Sequence, residues 1–194
     1  ERLERSGQIS KNQQAAAAKR KRKDYTVRLP LAARIPCLRY DMQTKNSTLS
    51  SLSSWNEEEV ENHLFHSRIP CRLATVTKDG FPHVMSLWYL YQEGCIFCSV
   101  QKKTFIVDWL LQNPRCGFEI ASDKPPYKGI RGRGCASLEF GKSNNILPLL
   151  INRYLGSCES DLAQKLLARP ETEVTIRITP NWLTSWDFTR RMNS

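Results

Sequence analysis

The 194-residue chain carries 29 Lys/Arg against 19 Asp/Glu and is 40% hydrophobic. That length gives one domain with at most an appendage, and enough apolar residues for one core. No run nears the roughly 20 apolar residues of a membrane-spanning helix, so the expectation is a soluble, cytoplasmic chain without a membrane partner.

The charge is unevenly placed. Residues 1–41 hold 11 Lys/Arg and 4 Asp/Glu, whereas residues 42–194 hold 18 and 15. The basic block Lys19-Arg20-Lys21-Arg22-Lys23 repels itself and is expected to be disordered. It reads as a leader upstream of a start at Met42, or as an expression-derived segment. A phosphate-attracting arm is the other reading, and only a native arm would bring nucleic acid in as a partner. The expected boundaries are a leader over 1–41 and a folded domain over 42–194. The seven cysteines (Cys37, Cys71, Cys95, Cys98, Cys116, Cys135, Cys158) are scattered through apolar segments. Free thiols in a reducing compartment are the expectation.

Within the domain, Ser54 and Glu57 have capping-box spacing, which predicts a helix from about Trp55 to Ser67 with Val60 and Leu64 inward. Cys71–Thr77 reads as a strand and Asp79-Gly80 as a hairpin turn. Phe81–Tyr91 reads as one long strand, Glu93-Gly94 as a turn and Cys95–Val100 as a third strand. Thr104–Gln112 has helical apolar spacing (Phe105, Trp109, and Leu110 or Leu111) and stops at Asn113-Pro114. Arg115–Ala121 and Ile130–Phe140 are further strands around a Pro-rich loop. Ile146–Tyr154 and Asp161–Ala168 read as helices. Glu173–Thr179 and Asn181–Phe188 close the chain as two strands, the first with Thr175, Arg177 and Thr179 outward. This order predicts a mainly β (α+β) fold, an antiparallel barrel with short flanking helices.

Several motifs are weaker than they look. Cys95-x-x-Cys98 lacks a second pair and lies in a strand, where residues three apart face opposite ways. His63 and His66 share a helix face but lack a third ligand. Gly129-Ile130-Arg131-Gly132-Arg133-Gly134 follows a proline loop and precedes β-like residues, so it is not a dinucleotide fingerprint. In a strand, Arg131 and Arg133 lie side by side, which calls for an anion or acidic partner. Arg72, Ser99, Lys102, Lys103 and Thr104 can converge as a phosphate site if the strands pair as a meander.

The stretches Arg72-Leu73-Ala74-Thr75-Val76 and Gly80–Trp88, the Pro125–Gly134 segment and the ending Ser185-Trp186-Asp187-Phe188 together resemble the flavin-binding split-barrel family of pyridoxamine phosphate oxidase and its small relatives. The resemblance covers about Trp55 to Arg190. It implies a homodimer that binds FMN at the subunit interface and acts as an oxidoreductase on a small-molecule substrate. By position, Arg72, Ser99, Lys103 and Thr104 would hold the phosphate and Thr75 would lie beside the ribityl chain. Met85, Ser86, Leu87 and Trp88 would line the isoalloxazine, with Trp186 and the Arg131/Arg133 face coming from the partner. Relatives often place a phosphate-binding lysine where this chain has Ile106. Some relatives use a deazaflavin coenzyme or haem instead. The basic ending of the true pyridoxamine phosphate oxidases is missing. The alternative is a non-catalytic flavin, deazaflavin or haem binder, or a nucleic-acid-associated protein using the basic arm.

Overall fold

The computed structural model describes residues 48–141 and 146–193. The expected boundary between leader and domain lies outside the described residues, as does Cys37.

The elements run α1 (Glu57–His66), β1 (Cys71–Val76), β2 (Pro82–Leu87), β3 (Tyr89–Gln92), β4 (Cys95–Gln101), α2 (Phe105–Gln112), β5 (Arg115–Ala121), β6 (Lys128–Phe140), α3 (Ile146–Leu155), α4 (Asp161–Leu167), β7 (Glu173–Asp187) and α5 (Thr189–Met192). Seven strands form one antiparallel sheet in the order β2-β1-β5-β6-β7-β4-β3. The expected fold class holds: a curled antiparallel half-barrel with short helices.

The expected single strand Phe81–Tyr91 is two strands parted at Trp88. β2 pairs with β1, and β3 pairs with β4. They are therefore the two edges of the sheet. Because one residue separates Leu87 from Tyr89, those edges must meet there. This makes a barrel split along the β2/β3 seam, a relation between distant edges that the local pattern of residues 81–91 does not carry. The two closing strands, conversely, are one. β7 runs through Pro180, and the register against β6 slips between Arg133 and Gly134. Proline cannot donate to a ladder, so a bulge at that point lets the strand continue.

Helix α1 starts two residues later than expected. The capping box is formed by Asn56 and Glu59, not Ser54 and Glu57: Glu59 N donates to Asn56 Oδ1 at 2.9 Å, and Asn56 N donates to Glu59 Oε2 at 2.9 Å. Val60 and Leu64 are buried as expected. The Thr48–Trp55 strap lies along the free edge of the second half of β7. Leu183 N donates to Thr48 O, Ser50 N to Leu183 O, and Trp55 N to Ser185 Oγ at 2.8 Å.

Helix α2 buries Ile106, Val107 and Leu110. Of the expected apolar positions Leu110 is buried, whereas Phe105 is 71% exposed. The helix presents the face one residue further on, and both registers are apolar enough to read as plausible. Inside the barrel, Leu73, Ile96, Cys98, Phe118, Ile120, Ile130, Ile176 and Ile178 form the main core. Each such aliphatic side chain contributes roughly 1.5–3 kcal/mol on burial. Thr175, expected outward among solvated residues, is fully buried. A second, smaller cluster of Leu147, Ile151 and Ala163 joins α3 to α4 and packs on Trp88. Pro148 is the third residue of α3, within the first turn, where a helix does not need its N–H.

Cys71, Cys95, Cys98, Cys116 and Cys158 are free thiols. Cys135 is disulfide-bonded, against the expectation of free thiols throughout. A hydrogen bond between the Cys98 and Cys71 thiols, followed by burial, pushes the Cys98 thiol well above its ordinary range. Burial raises Cys116 to about 12. Both stay protonated and unreactive at neutral pH.

Candidate functional site

The register across the sheet aligns one row of residues on its outer face: Ser86 on β2, Arg72 on β1, Glu119 on β5, Arg131 on β6 and Thr184 on β7. Cross-strand partners share a face, so these side chains are neighbours. Arg72 donates to Glu119 Oε1 at 3.3 Å and to Ala121 O at 3.2 Å. The next row is Val84, Ala74, Gly117, Arg133 and Trp182. The Arg131 guanidinium lies over the Trp186 ring at 5.4 Å, and Arg133 lies over Trp182 at 5.6 Å. Glu119, opposite Arg131, supplies the acidic neighbour that the Arg131/Arg133 pair calls for. Both arginines remain exposed.

This face ends at an edge. β2 has β1 on one side and no strand on the other among the described residues. An edge strand offers unpaired N–H and C=O groups to whatever lies beside it. Val84 is 59% exposed there, and Ser86 is exposed beside Arg72. The centre of the face is lined by small residues. A Cβ added at Gly117 would meet nothing closer than 3.7 Å. The result is a shallow surface with two indole–guanidinium stacks on one side and an open backbone edge on the other.

The residues implied by the resemblance fall into separate groups. Arg72, Ser86, Arg131 and Trp186 share the outer face. Thr75, on β1 between Ala74 and Val76, points inward; it is 2% exposed and its Oγ1 has no hydrogen-bond partner among the described residues. Met85 and Leu87 pack against the main core. Trp88 lies on the seam and stacks on Tyr154 of α3, with centroids 5.0 Å apart and planes 6° from parallel. Ser99 is on β4, separated from β1 in the sheet by β5, β6 and β7. Its Oγ donates to Glu173 Oε2 at 2.8 Å. Lys103 and Thr104 form the turn into α2, where Thr104 N donates to Gln101 O. Ile106 is fully buried. Glu119, Trp182 and Glu173 were missed by sequence reasoning. Alternation alone assigned their faces, and the pairing that brings them to Arg72, Arg133 and Ser99 is long-range.

These residues fit the two ends of FMN differently. Aromatic walls, cations and an open strand edge suit a planar heteroaromatic ring. Of the phosphate ligands implied by the resemblance, Arg72 and Ser99 already hold carboxylates, Glu119 and Glu173.

A second concavity of about 570 Å³ lies between α1 and the ends of β6 and β7, bordered by Trp55, His63, His66, Lys128 and Asp187. His63 Nε2 lies 3.3 Å from Ile120 O, and its ring is 5.0 Å from that of Trp55. Trp55 Nε1 donates to Asp187 Oδ2 at 3.3 Å. Asp187 is held below the ordinary carboxylate range, chiefly by the Thr189 hydroxyl. Among the described residues, no three His, Cys, Asp or Glu side chains come together as metal ligands.

No protein-family model matches the chain, and no curated protein matches it. Solved structures do. The conserved hypothetical protein Rv2991 of Mycobacterium tuberculosis is 21% identical with a TM-score of 0.62, over 76% of this chain and 94% of that one. An F420 reductase is 19% identical with a TM-score of 0.55, over 63% and 94%. The haem storage protein HutZ of Vibrio cholerae is 17% identical with a TM-score of 0.51, over 68% and 93%. The fold of this chain is the split barrel shared by pyridoxamine phosphate oxidase-like proteins.

Proposed function

We propose that this chain binds a flavin or closely related redox cofactor on the outer face of β1, β5, β6 and β7 beside edge strand β2, and with it acts as an oxidoreductase on a small-molecule substrate. FMN is the leading member of that class; a deazaflavin coenzyme and haem are the alternatives. The observation that carries the proposal is the exposed Arg131–Trp186 stack, in register across the sheet with Arg72 and with Ser86 of edge strand β2. A flat ring gains dispersion from an indole and charge stabilisation from a guanidinium. The open backbone of β2 at Met85–Leu87 can supply in-plane donors and acceptors. The cofactor, when bound, carries the redox chemistry; the chain holds, orients and shields it.

The face is open, so a ligand lying on it would keep one side in water. A second copy of the chain laid over this surface would close it, which supports a homodimer with the ligand between subunits. Exposed apolar Val84 at the rim would then be covered.

Protein purified without added cofactor should be yellow and should release a flavin on denaturation. A colourless protein that gains no flavin on titration rejects the proposal. Flavin that binds but is not turned over by any reductant–acceptor pair would make the chain a flavin store or sensor.

A further inference from the structure

We infer that this barrel holds its ligand by the ring and does not read a terminal phosphate, so that a phosphate-free isoalloxazine such as riboflavin binds as well as FMN. This inference rests on the flavin reading above and narrows it.

The argument begins at Ser99. A hydroxyl that binds phosphate must be free to donate. Ser99 Oγ instead donates to Glu173 Oε2 at 2.8 Å. Glu173 is only 9% exposed, so this carboxylate is not a passing surface contact. A phosphate brought to Ser99 would meet a like charge in a partly dehydrated place, where repulsion is several times stronger than in water. Electrostatics there favour a neutral group.

Arg72 is the second proposed phosphate ligand. Its guanidinium donates to Glu119 and to the Ala121 carbonyl. The Arg72–Glu119 pair is partly exposed and of modest strength, so by itself it would yield to an anion. Its effect is to lower the net positive charge that a phosphate would see.

The third point is what the remaining candidates offer. Ile106, where the resemblance would place a lysine, is fully buried in the core beneath α2. A lysine there would have its ammonium buried among apolar side chains. The Thr104 hydroxyl makes no cap bond, and the Thr104 amide is already committed to Gln101 O. Lys102 and Lys103 are exposed in a turn, where most lysines are simply solvated.

Titration of the purified full chain with riboflavin and with FMN, read by quenching of flavin fluorescence, tests this. Equal affinities, within about threefold, are expected. FMN binding more than about threefold more tightly than riboflavin overturns the inference and leaves the flavin reading standing. A chain that takes up neither compound removes the flavin reading and the inference with it, so the two failures are distinguishable. Glu173→Gln keeps an acceptor for Ser99 and removes the charge; it should shift the preference about tenfold towards FMN. An unchanged ratio in a folded Glu173→Gln protein also overturns the inference. If that variant does not fold, the wild-type ratio decides alone.

Discussion

Two regions of this molecule are rich in arginine and aromatic rings, and they use them in opposite ways. At the seam, Arg153 of α3 donates to the carbonyls of Leu64, Phe65 and Ser67 at the C-terminal end of α1. It also lies over the Tyr89 ring at 5.3 Å. The Tyr89 hydroxyl, fully buried, donates to Leu64 O and Ser67 O. Burial holds that phenol well above its ordinary range, so it remains a donor at any physiological pH. Trp88 stacks on Tyr154 in the same place. On the outer face, Arg131 and Arg133 lie over Trp186 and Trp182 but stay exposed. The same residue types close a structure in one region and leave a surface open in the other. Function is to be sought where such groups are not consumed by the fold.

The largest effect expected from this comparison is at Arg153. Arg153→Ala leaves helix-end carbonyls without their cation and removes packing from Tyr89. Hydrogen bonds to charged groups contribute roughly 1.5–3 kcal/mol each, so a loss of about 3 kcal/mol is expected after partial resolvation. Arg131→Ala should change stability by no more than about 0.5 kcal/mol, as surface changes do, while weakening flavin uptake. Denaturant melts of both variants alongside flavin titration check the contrast. If Arg131→Ala unfolds the chain as readily as Arg153→Ala, the outer face is structural and the comparison collapses.

A smaller effect separates two glycines. A Cβ at Gly134 would lie 2.3 Å from Thr179 O, on the backbone at the β6/β7 bulge, where neither strand can yield. Gly134→Ala should cost about 2 kcal/mol, in the range of overpacked cores. Gly117 sits on the outer face, with its nearest neighbours at 3.7 and 3.9 Å. Gly117→Ala should be neutral or mildly stabilising, by a few tenths of a kcal/mol, because alanine restricts the unfolded chain. Comparable losses in both variants would mean the outer face is as tightly covered as the core.

What the sequence made legible follows from the same distinction. Strands β1, β4 and β5 were readable because their alternation and turn residues are local. Gly80 adopts φ 87°, and Glu93 and Gly94 adopt φ 51° and 74°, which are the turns their residue types announce. The split at Trp88 was not readable, since Phe81–Tyr91 is continuous in β propensity and only the closing of the barrel parts it. Pro180 read as a strand end because a ladder bulge depends on the partner strand. For the site, Arg131 and Arg133 were rightly placed on one face, but Glu119 and Glu173 escaped notice. Their positions opposite Arg131 and beside Ser99 follow from strand register, which the spacing of residues along one chain does not specify.

The smallest expected effect concerns His63, in the cleft beside α1. Burial pushes its pKa below the ordinary 6.5; the Ile120 carbonyl opposes this and the Lys128 charge adds to it. A histidine whose folded pKa is depressed binds its proton more readily when unfolded. Unfolding therefore gains protons as pH falls through 6.5, and stability declines from there down to the lower folded value. Above 6.5 the imidazole is neutral in both states and contributes no slope. Asp187, whose carboxyl is depressed below the ordinary 3.8, acts in more acidic solution. Thermal melts across this range should show wild-type stability falling below pH 6.5, and His63→Gln should flatten that segment while leaving the acid limb in place. His63 carries the cleft wall with Trp55 and its ring nitrogen lies by the Ile120 carbonyl, so flavin affinity should not follow the same titration. If it does, the cleft and the outer face are one site, and the boundary drawn between the consumed and the open aromatic groups must move.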